Sequence, residues 1–180
     1  MRVLAGAVAI LFAGSLAAGD DLKLGDVVPD LEFKTVDGKD HKLSEWRGEK
    51  GKVLVIYFQS KNCPSAIPWN DIKKIAEKFN GRDSAVQFLA VWSYGKDNEG
   101  VVKGEVDGSK IWYPCVADGD DKVTNHLGAS KVNQTFVLDK EGKLVYRGGF
   151  TSKKEPYTEN AVMAALGKGQ APASDNKFSG

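Results

Sequence analysis

Residues 53–58 read VLVIYF and lead through four polar residues into Cys63 and Pro64. Six consecutive apolar residues, three of them β-branched, predict a strand buried on both faces, as in the middle of a parallel sheet. Apolar side chains then recur at helical spacing over residues 69–79, so the chain passes from a strand to a helix across Cys63. This order predicts an α/β fold with Cys63 at the carboxyl edge of its sheet, where such folds bind ligands.

Further strands are predicted on both sides of this unit, from apolar runs bounded by turn residues. Asp37-Gly38 is a two-residue turn signal, and it predicts an N-terminal β-hairpin. Together the strands predict a central mixed sheet with helices on both faces. The predicted strands are residues 31–33, 41–43, 86–92, 111–116, 135–138 and 144–146.

Helices are predicted where apolar residues repeat every three or four positions between capping residues. One helical turn, capped by Ser44, is expected over residues 44–48. The other predicted helices cover residues 98–106, a segment from Asp120 or Asp121 through Leu127, and residues 158–166.

The composition excludes several classes of protein. The 180 residues carry 25 Lys and Arg against 24 Asp and Glu, and a net charge of +1 argues against a strongly basic nucleic-acid surface. Two cysteines are too few for a disulfide framework or a four-cysteine zinc site. The acidic stretch at residues 118–121 lacks the Glu that ends a calcium loop, so a turn and helix cap is the better interpretation. We therefore expect no metal and no cofactor.

Residues 1–19 have the layout of a secretory signal peptide, with one Arg, a short apolar run and small residues at the end. Ser15 with Ala17, or Ala17 with Gly19, fits the pattern before a cleavage site. The alternative is an uncleaved membrane anchor, for which the stretch is near the lower limit of length. We expect cleavage and a periplasmic or secreted protein without stable membrane insertion, in a compartment that oxidises thiols.

Cys63 is the residue that we expect to act as a nucleophile. Pro64 is favoured at the first position of a helix, so the free N–H groups and positive dipole end of that helix are expected to face the sulfur. Both would favour the nucleophilic thiolate, and a nearby Lys61 ammonium would add to them. The alternative is a buried, inert cysteine, which is common for this residue type.

Several separate motifs occur in an order typical of one superfamily. They are residues 25–33, Asp37-Gly38-Lys39 with Leu43, residues 52–58 with Cys63-Pro64, Tyr113-Pro114 with Asp118, and residues 135–143. With them the chain resembles the thioredoxin-like superfamily, and within it the exported redoxins of the alkyl-hydroperoxide-reductase/thiol-antioxidant type. The resemblance covers residues 22–166. It implies a thioredoxin-like α/β domain, which we expect over residues 20–167. The Gly, Ala, Pro, Ser and Asn residues that follow predict a flexible tail over residues 168–180.

The chain departs from the family's patterns at several positions. The second cysteine of thioredoxin-type oxidoreductases would fall at Ala66, so Cys63 has no partner within its own motif. Ile56 and Ser60 stand where the peroxidases have Pro and Thr, and only Ser60 is a conservative replacement. The family's cis-proline aligns with Asn133.

The residues expected around the nucleophile follow partly from their positions beside Cys63 and partly from the resemblance. Those expected to support Cys63 are Ser60, Lys61, Asn62, Pro64 and Trp69, and the loop expected to dock substrate is Val132, Asn133 and Gln134.

Cys115 is not expected to pair with Cys63. In the implied fold its strand lies two strands away, or about 10 Å. A disulfide requires Cα atoms within roughly 7 Å of each other. Cys115 also falls inside its predicted strand rather than at the active edge, which predicts a buried structural thiol.

The expected function is that of an exported thioredoxin-fold redox protein with Cys63 as its sole nucleophile. It would attack a disulfide-bearing protein or a peroxide, and an external thiol or a reductase partner would complete the cycle. The alternatives are a non-catalytic binding module that keeps the scaffold without the redox pair, and a one-cysteine peroxidase. Nucleic acid is not an expected partner.

Overall fold

A computed structural model of the chain describes residues 22–48, 51–79, 84–93, 95, 97–130, 132–151 and 155–174. The predicted signal peptide and the end of the predicted tail lie outside the described residues. The helices and strands are β1 (Glu32–Lys34), β2 (Asp40–Lys42), a 3-10 turn (Leu43–Trp46), β3 (Val53–Gln59), α1 (Trp69–Phe79), β4 (Val86–Trp92), α2 (Glu99–Gly108), β5 (Cys115–Ala117), α3 (Lys122–Leu127), β6 (Gln134–Leu138), β7 (Leu144–Gly149) and α4 (Tyr157–Ala165).

β3 is the central strand of a five-stranded sheet with the order β5-β4-β3-β6-β7. It runs parallel to β4, which runs parallel to β5, whereas β6 and β7 complete the sheet as antiparallel strands. Every residue of β3 is buried, as its apolar run predicts. β1 and β2 form the predicted N-terminal hairpin apart from this sheet. The predicted mixed sheet is therefore confirmed.

Alternate residues of β3 belong to two different cores, because successive side chains of a strand point to opposite faces. Ile56 belongs to the core that contains Leu127 of α3. Val55 belongs to the core that contains Ala76 of α1 and Val162 of α4. Helices thus cover both faces of the sheet, as predicted.

The third strand of the parallel half is shorter than predicted, because it covers only Cys115–Ala117 instead of residues 111–116. Lys110 has a φ of 51°, and the Ile111 N–H donates to the Val106 carbonyl of α2 at 3.0 Å. The chain therefore leaves α2 in a tight turn before it can join the sheet. The apolar pattern alone does not show that the Ile111 N–H is already hydrogen-bonded to α2.

Most of the cap of α3 comes from Asp118, and Asp120 adds one bond, because its Oδ1 accepts the Lys122 N–H at 3.3 Å. The two carboxylate oxygens of Asp118 accept hydrogen bonds from the Val123 N–H at 2.9 Å and the Thr124 N–H at 2.8 Å. Asp121 has a φ of 55° and makes no side-chain capping bond. The prediction is confirmed for Asp120 by one bond and is wrong for Asp121. It missed Asp118, which reaches the helix from further back along the chain.

Ser44 does not cap the helical turn that follows β2. The Ser44 hydroxyl donates instead to Asp30 Oδ2 at 2.7 Å. The Glu45 carboxylate accepts the Lys42 N–H at 3.0 Å and so closes the start of the turn.

The remaining helices lie where the periodicity places them. α1 covers the periodic residues 69–79, α2 continues past residue 106 to Gly108, and α4 begins at Tyr157. No helix in the described part of the chain is both long enough and apolar enough to cross a bilayer.

Candidate active site around Cys63

Cys63 lies in the loop between β3 and α1 (residues 60–68, the Cys63 loop), at the carboxyl edge of the sheet as predicted. β3 lies between β4 and β6, so the loop leaves the middle of the sheet. Cys63 is half-buried, and Asn62 and Pro64 on either side of it are exposed. The residue can therefore be reached from solvent.

The helix expected to begin at Pro64 begins later. The Pro68 carbonyl accepts the Asp71 N–H at 2.9 Å, and α1 starts at Trp69, whose side chain lies outside the described part of the chain. Pro68 has no N–H to donate to a helix that started earlier, and it disfavours helical backbone at Ile67. The prediction that a helix N-terminus faces Cys63 is therefore wrong.

A tight turn around Pro64 brings a serine to the cysteine. The Ala66 N–H donates to the Cys63 carbonyl at 3.0 Å. This turn places the Ser65 hydroxyl oxygen 3.1 Å from the Cys63 sulfur. The ammonium of Lys61, in contrast, lies 2.5 Å from Glu105 Oε1 on α2, so its charge is paired there.

The Asn133 side chain holds the end of the Cys63 loop that leads to α1. Its Oδ1 accepts the Tyr57 hydroxyl at 2.9 Å and the Ile67 N–H at 3.0 Å, and its Nδ2 donates to the Ser65 carbonyl at 2.7 Å. Asn133 is 3% exposed and Tyr57 is 1% exposed, so the bond between them forms away from solvent. Burial raises the pKa of Tyr57 well above its ordinary range, which keeps the phenol protonated and able to donate.

Asp97 holds the other end of the loop. Its two oxygens accept the Lys61 N–H at 3.1 Å and the Asn62 side-chain amide at 2.5 Å. Asp97 is 2% exposed, and a carboxylate in such a position requires hydrogen bonds of this kind. α2 begins at Glu99, so Asp97 ties the loop to the start of that helix.

Gln59 and Ser60 join the end of β3 to the loop. Gln59 Nε2 donates to the Ile67 carbonyl at 2.9 Å, and Gln59 Oε1 accepts the Ser60 N–H at 3.0 Å. The Ser60 hydroxyl accepts the Asn62 N–H at 3.1 Å. Ser60 and Asn62 thus maintain the shape of the loop, and their bonds are to its backbone and to Asp97.

In the loop expected to dock substrate, several backbone groups are hydrogen-bonded to the rest of the protein. The Asn133 N–H donates to the Phe58 carbonyl at 2.8 Å, and the Asn133 carbonyl accepts the Phe150 N–H at 3.0 Å. Gln134 pairs with Gly149 in the sheet. Asn133 has a φ of 65°, and the peptide bonds of the described residues are trans. Val132 is half-buried beside them, and a docking role for this loop stays a prediction.

Cys115 is buried, as predicted, and both cysteines are free thiols. Its Sγ donates to the Tyr113 carbonyl at 3.3 Å. Burial raises the pKa of the Cys115 thiol far above its ordinary value, so it stays protonated and unreactive at neutral pH. β4 separates β5 from β3, which is the spacing that the resemblance implies.

Three residues of this site were not found from the sequence. Ser65 carried a weak signal, because it stands two positions after Cys63. Tyr57 was assigned to the core of β3, and its hydroxyl gave no pattern to detect. Asp97 lies 35 positions from Asn62, so only the folded chain brings the two together.

Residues 24–147 match the AhpC/TSA family. The chain belongs to the AhpC/TSA family. This AhpC/TSA protein is 28% identical over 136 residues to the thiol-disulfide oxidoreductase ResA of Geobacillus thermodenitrificans, which covers 74% of each chain. It is 25% identical over 138 residues to the peroxiredoxin Bcp of Bacillus subtilis, covering 69% of this chain and 83% of that protein.

A solved structure is similar to the AhpC/TSA protein over most of its length. The thioredoxin domain of a thiol-disulfide oxidoreductase from Bacteroides vulgatus matches it with a TM-score of 0.58 and 18% identity, covering 82% of this chain and 98% of that one. At this identity the likeness shows the fold alone. It confirms the thioredoxin-like architecture.

Proposed function

We propose that the protein carries out thiol–disulfide exchange with Cys63 as its sole nucleophile. The observation that carries the proposal is the contrast between its two thiols. Cys63 is half-buried in a loop at the carboxyl edge of the sheet, with a hydroxyl 3.1 Å from its sulfur. Cys115 is 2% exposed and protonated in the core. Membership of the AhpC/TSA family and the likeness to a thiol-disulfide oxidoreductase support the same chemistry.

The reaction has two steps at Cys63 that conserve atoms and electrons. The Cys63 thiolate attacks one sulfur of a substrate disulfide, forms a mixed disulfide and expels the other sulfur as a thiolate. An external thiolate then attacks the substrate sulfur of the mixed disulfide and expels the Cys63 thiolate. After these two steps at Cys63, one half of the substrate is free as a thiolate and the other half is joined by a disulfide to the external thiol. A second external thiolate then attacks the external sulfur of that disulfide and releases the second half of the substrate. The substrate disulfide is thereby reduced, two external thiols are oxidised to their disulfide, and Cys63 is back in its starting state.

The surroundings of Cys63 favour a disulfide over a peroxide as substrate. The Ser60 hydroxyl accepts the Asn62 N–H instead of contacting the sulfur. The Lys61 ammonium is paired with Glu105. Ile56 and Ser60 stand where the peroxidases that the chain resembles have Pro and Thr, so peroxide reduction is less favoured than disulfide exchange.

A coupled assay tests the proposal. Glutathione-dependent reduction of a small disulfide is measured for the wild type, Cys63→Ser and Cys115→Ser. We expect turnover by the wild type and by Cys115→Ser, and none above background by Cys63→Ser. Equal rates for the wild type and Cys63→Ser would overturn the proposal. Hydrogen peroxide oxidising Cys63 to a sulfenic acid much faster than free cysteine would assign peroxide reduction instead.

One observation favours the alternative of a binding module without catalysis. α1 begins only at Trp69, so the chain lacks the helix N-terminus that would activate Cys63. The rate of alkylation separates the two functions. Alkylation of Cys63 at neutral pH faster than that of free cysteine supports exchange, and a rate equal to free cysteine or slower supports the module.

We also propose that the protein is exported. This proposal rests on the signal-like pattern of residues 1–19, and export would place Cys63 in an oxidising compartment. N-terminal sequencing of the protein isolated from its native cells tests it. A mature chain that begins at Ala18 or Asp20 supports export, whereas an intact Met1 contradicts cleavage.

A further inference from the structure

The Cys63 sulfur has one recorded hydrogen-bond partner among the described residues, and it is the Ser65 hydroxyl at 3.1 Å. The helix that would supply backbone N–H groups in its place begins only at Trp69. A hydroxyl can rotate to donate, and a hydrogen bond to the charged form of a thiol favours that form.

Three hydrogen bonds fix the backbone around Ser65. The turn bond from the Ala66 N–H to the Cys63 carbonyl fixes the backbone on both sides of it. The Asn133 Nδ2 donates to the Ser65 carbonyl at 2.7 Å, and Asn133 Oδ1 accepts the Ile67 N–H at 3.0 Å. Asn133 is itself anchored by the buried Tyr57 hydroxyl at 2.9 Å. Hence hydrogen bonds to its own and the neighbouring backbone hold Ser65 beside the sulfur, although its side chain is at the surface.

We propose that Ser65 is a catalytic hydrogen-bond donor that stabilises the Cys63 thiolate, with Asn133 as the residue that positions it. The inference rests on the proposed function, and it names the group that replaces the missing helix N-terminus. In the first step the Ser65 hydroxyl donates to the thiolate before it attacks. In the second step it donates to the Cys63 sulfur as the external thiolate expels it, so that Cys63 is a better leaving group.

The titratable and charged groups that face the Cys63 loop do not duplicate this role. Tyr57 of β3 donates to Asn133 and stays protonated. Asp97 accepts from Lys61 and Asn62, and the Lys61 ammonium is paired with Glu105 of α2. The residue before β6 that bonds to the loop is the uncharged Asn133.

The test compares Ser65→Ala with Ser65→Thr, which keeps the hydroxyl. The rate of Cys63 alkylation by iodoacetamide is measured from pH 5 to 10 in a Cys115→Ser background. We expect Ser65→Ala to shift the midpoint of the pH–rate profile upward by about one unit. At pH 7 its rate should fall only about threefold, because a more basic thiolate is also a stronger nucleophile. Ser65→Thr should restore the wild-type profile.

A second measurement reports the leaving-group step. The mixed disulfide of Cys63 with glutathione is prepared for each variant, and its reduction by glutathione is followed by mass spectrometry. We expect slower release of Cys63 from Ser65→Ala than from the wild type or Ser65→Thr. Ser65 is exposed, so the midpoint of thermal unfolding should be the same in all three proteins.

The proposal is overturned if Ser65→Ala has the wild-type pH–rate profile, or if Ser65→Thr behaves like Ser65→Ala. Failure of the proposed function is a different result. In that case the wild type gives no turnover in the glutathione assay, yet the alkylation profiles still report whether Ser65 acts on the sulfur.

Discussion

The Asn133 side-chain amide donates a hydrogen bond to the Ser65 carbonyl at 2.7 Å, across 68 residues of the chain. This contact ties the start of β6 to the Cys63 loop. The related redoxins are expected to have a cis-proline where this chain has Asn133. Here an amide side chain holds the loop through direct hydrogen bonds, and the backbone of the same residue bonds to Phe58 and Phe150.

Replacing Asn133 with the proline of the family should therefore destabilise this protein. Proline fixes φ near −65°, whereas Asn133 has a φ of 65° and its N–H donates to the Phe58 carbonyl. We expect Asn133→Pro to lower the free energy of unfolding by about 3 kcal/mol or more. Urea denaturation measures it, with Asn133→Gly as the control that permits the positive φ. A proline variant as stable as the glycine variant would contradict this reading of the backbone.

Asp97 should control the order of the first half of the Cys63 loop. Asp97→Ala leaves the Lys61 N–H and the Asn62 amide without their acceptor, which should cost about 1–3 kcal/mol. Hydrogen exchange at the Lys61 amide should become faster in this variant. Asp107→Ala is the matched control, because that carboxylate makes only an exposed ion pair with Lys103. Equal Lys61 exchange rates in the two variants would show that Asp97 does not hold the loop.

The placement of Cys63 could be predicted from the sequence, but its chemical surroundings could not. A continuous apolar run such as residues 53–58 indicates a buried strand. The position of Cys63 at the carboxyl edge of the sheet could therefore be predicted. The start of α1 was misplaced because two prolines, Pro64 and Pro68, compete for the first helical position and local sequence does not decide between them. Ser65 and Asn133 come into contact only when the sheet forms, because 68 residues separate them in the sequence. A local sequence pattern cannot predict such a contact.

Asp118 and Asp121 at the start of α3 differ in a way that the sequence did not predict, and substitutions test the difference. Asp118 accepts two N–H groups of the helix, whereas Asp121 makes no capping bond. Asp118→Ala should lower the free energy of unfolding by about 0.5–2 kcal/mol, and Asp121→Ala by less than about 0.5 kcal/mol. Chemical denaturation of the two variants measures both values. A larger loss for Asp121→Ala would return the cap to the position predicted from the sequence.

The protein should lose stability in alkaline solution because its core holds protonated acids. Burial raises the pKa of Cys115 above its ordinary value of 9.0, so above about pH 9 the unfolded chain releases a proton that the folded chain keeps. Each such group lowers the free energy of unfolding by up to about 1.4 kcal/mol per pH unit. Tyr57 and Tyr113 should add to this above pH 10.

Cys115→Ala separates the thiol from the two phenols in this pH dependence. Between pH 8 and 9.5, where the two phenols contribute little, its free energy of unfolding should fall much less than that of the wild type. Denaturant titrations at several pH values measure both curves. Identical slopes in this interval would mean that Cys115 is not the group that titrates.

The site of glutathionylation shows whether Cys63 is the sole nucleophile of this chain. The reduced, folded protein is treated with oxidised glutathione, digested without reducing agent and examined by mass spectrometry. We predict one glutathione on Cys63, an unmodified Cys115 and no crosslink between the two. A disulfide between Cys63 and Cys115 in good yield, or glutathione on Cys115 alone, would contradict the account.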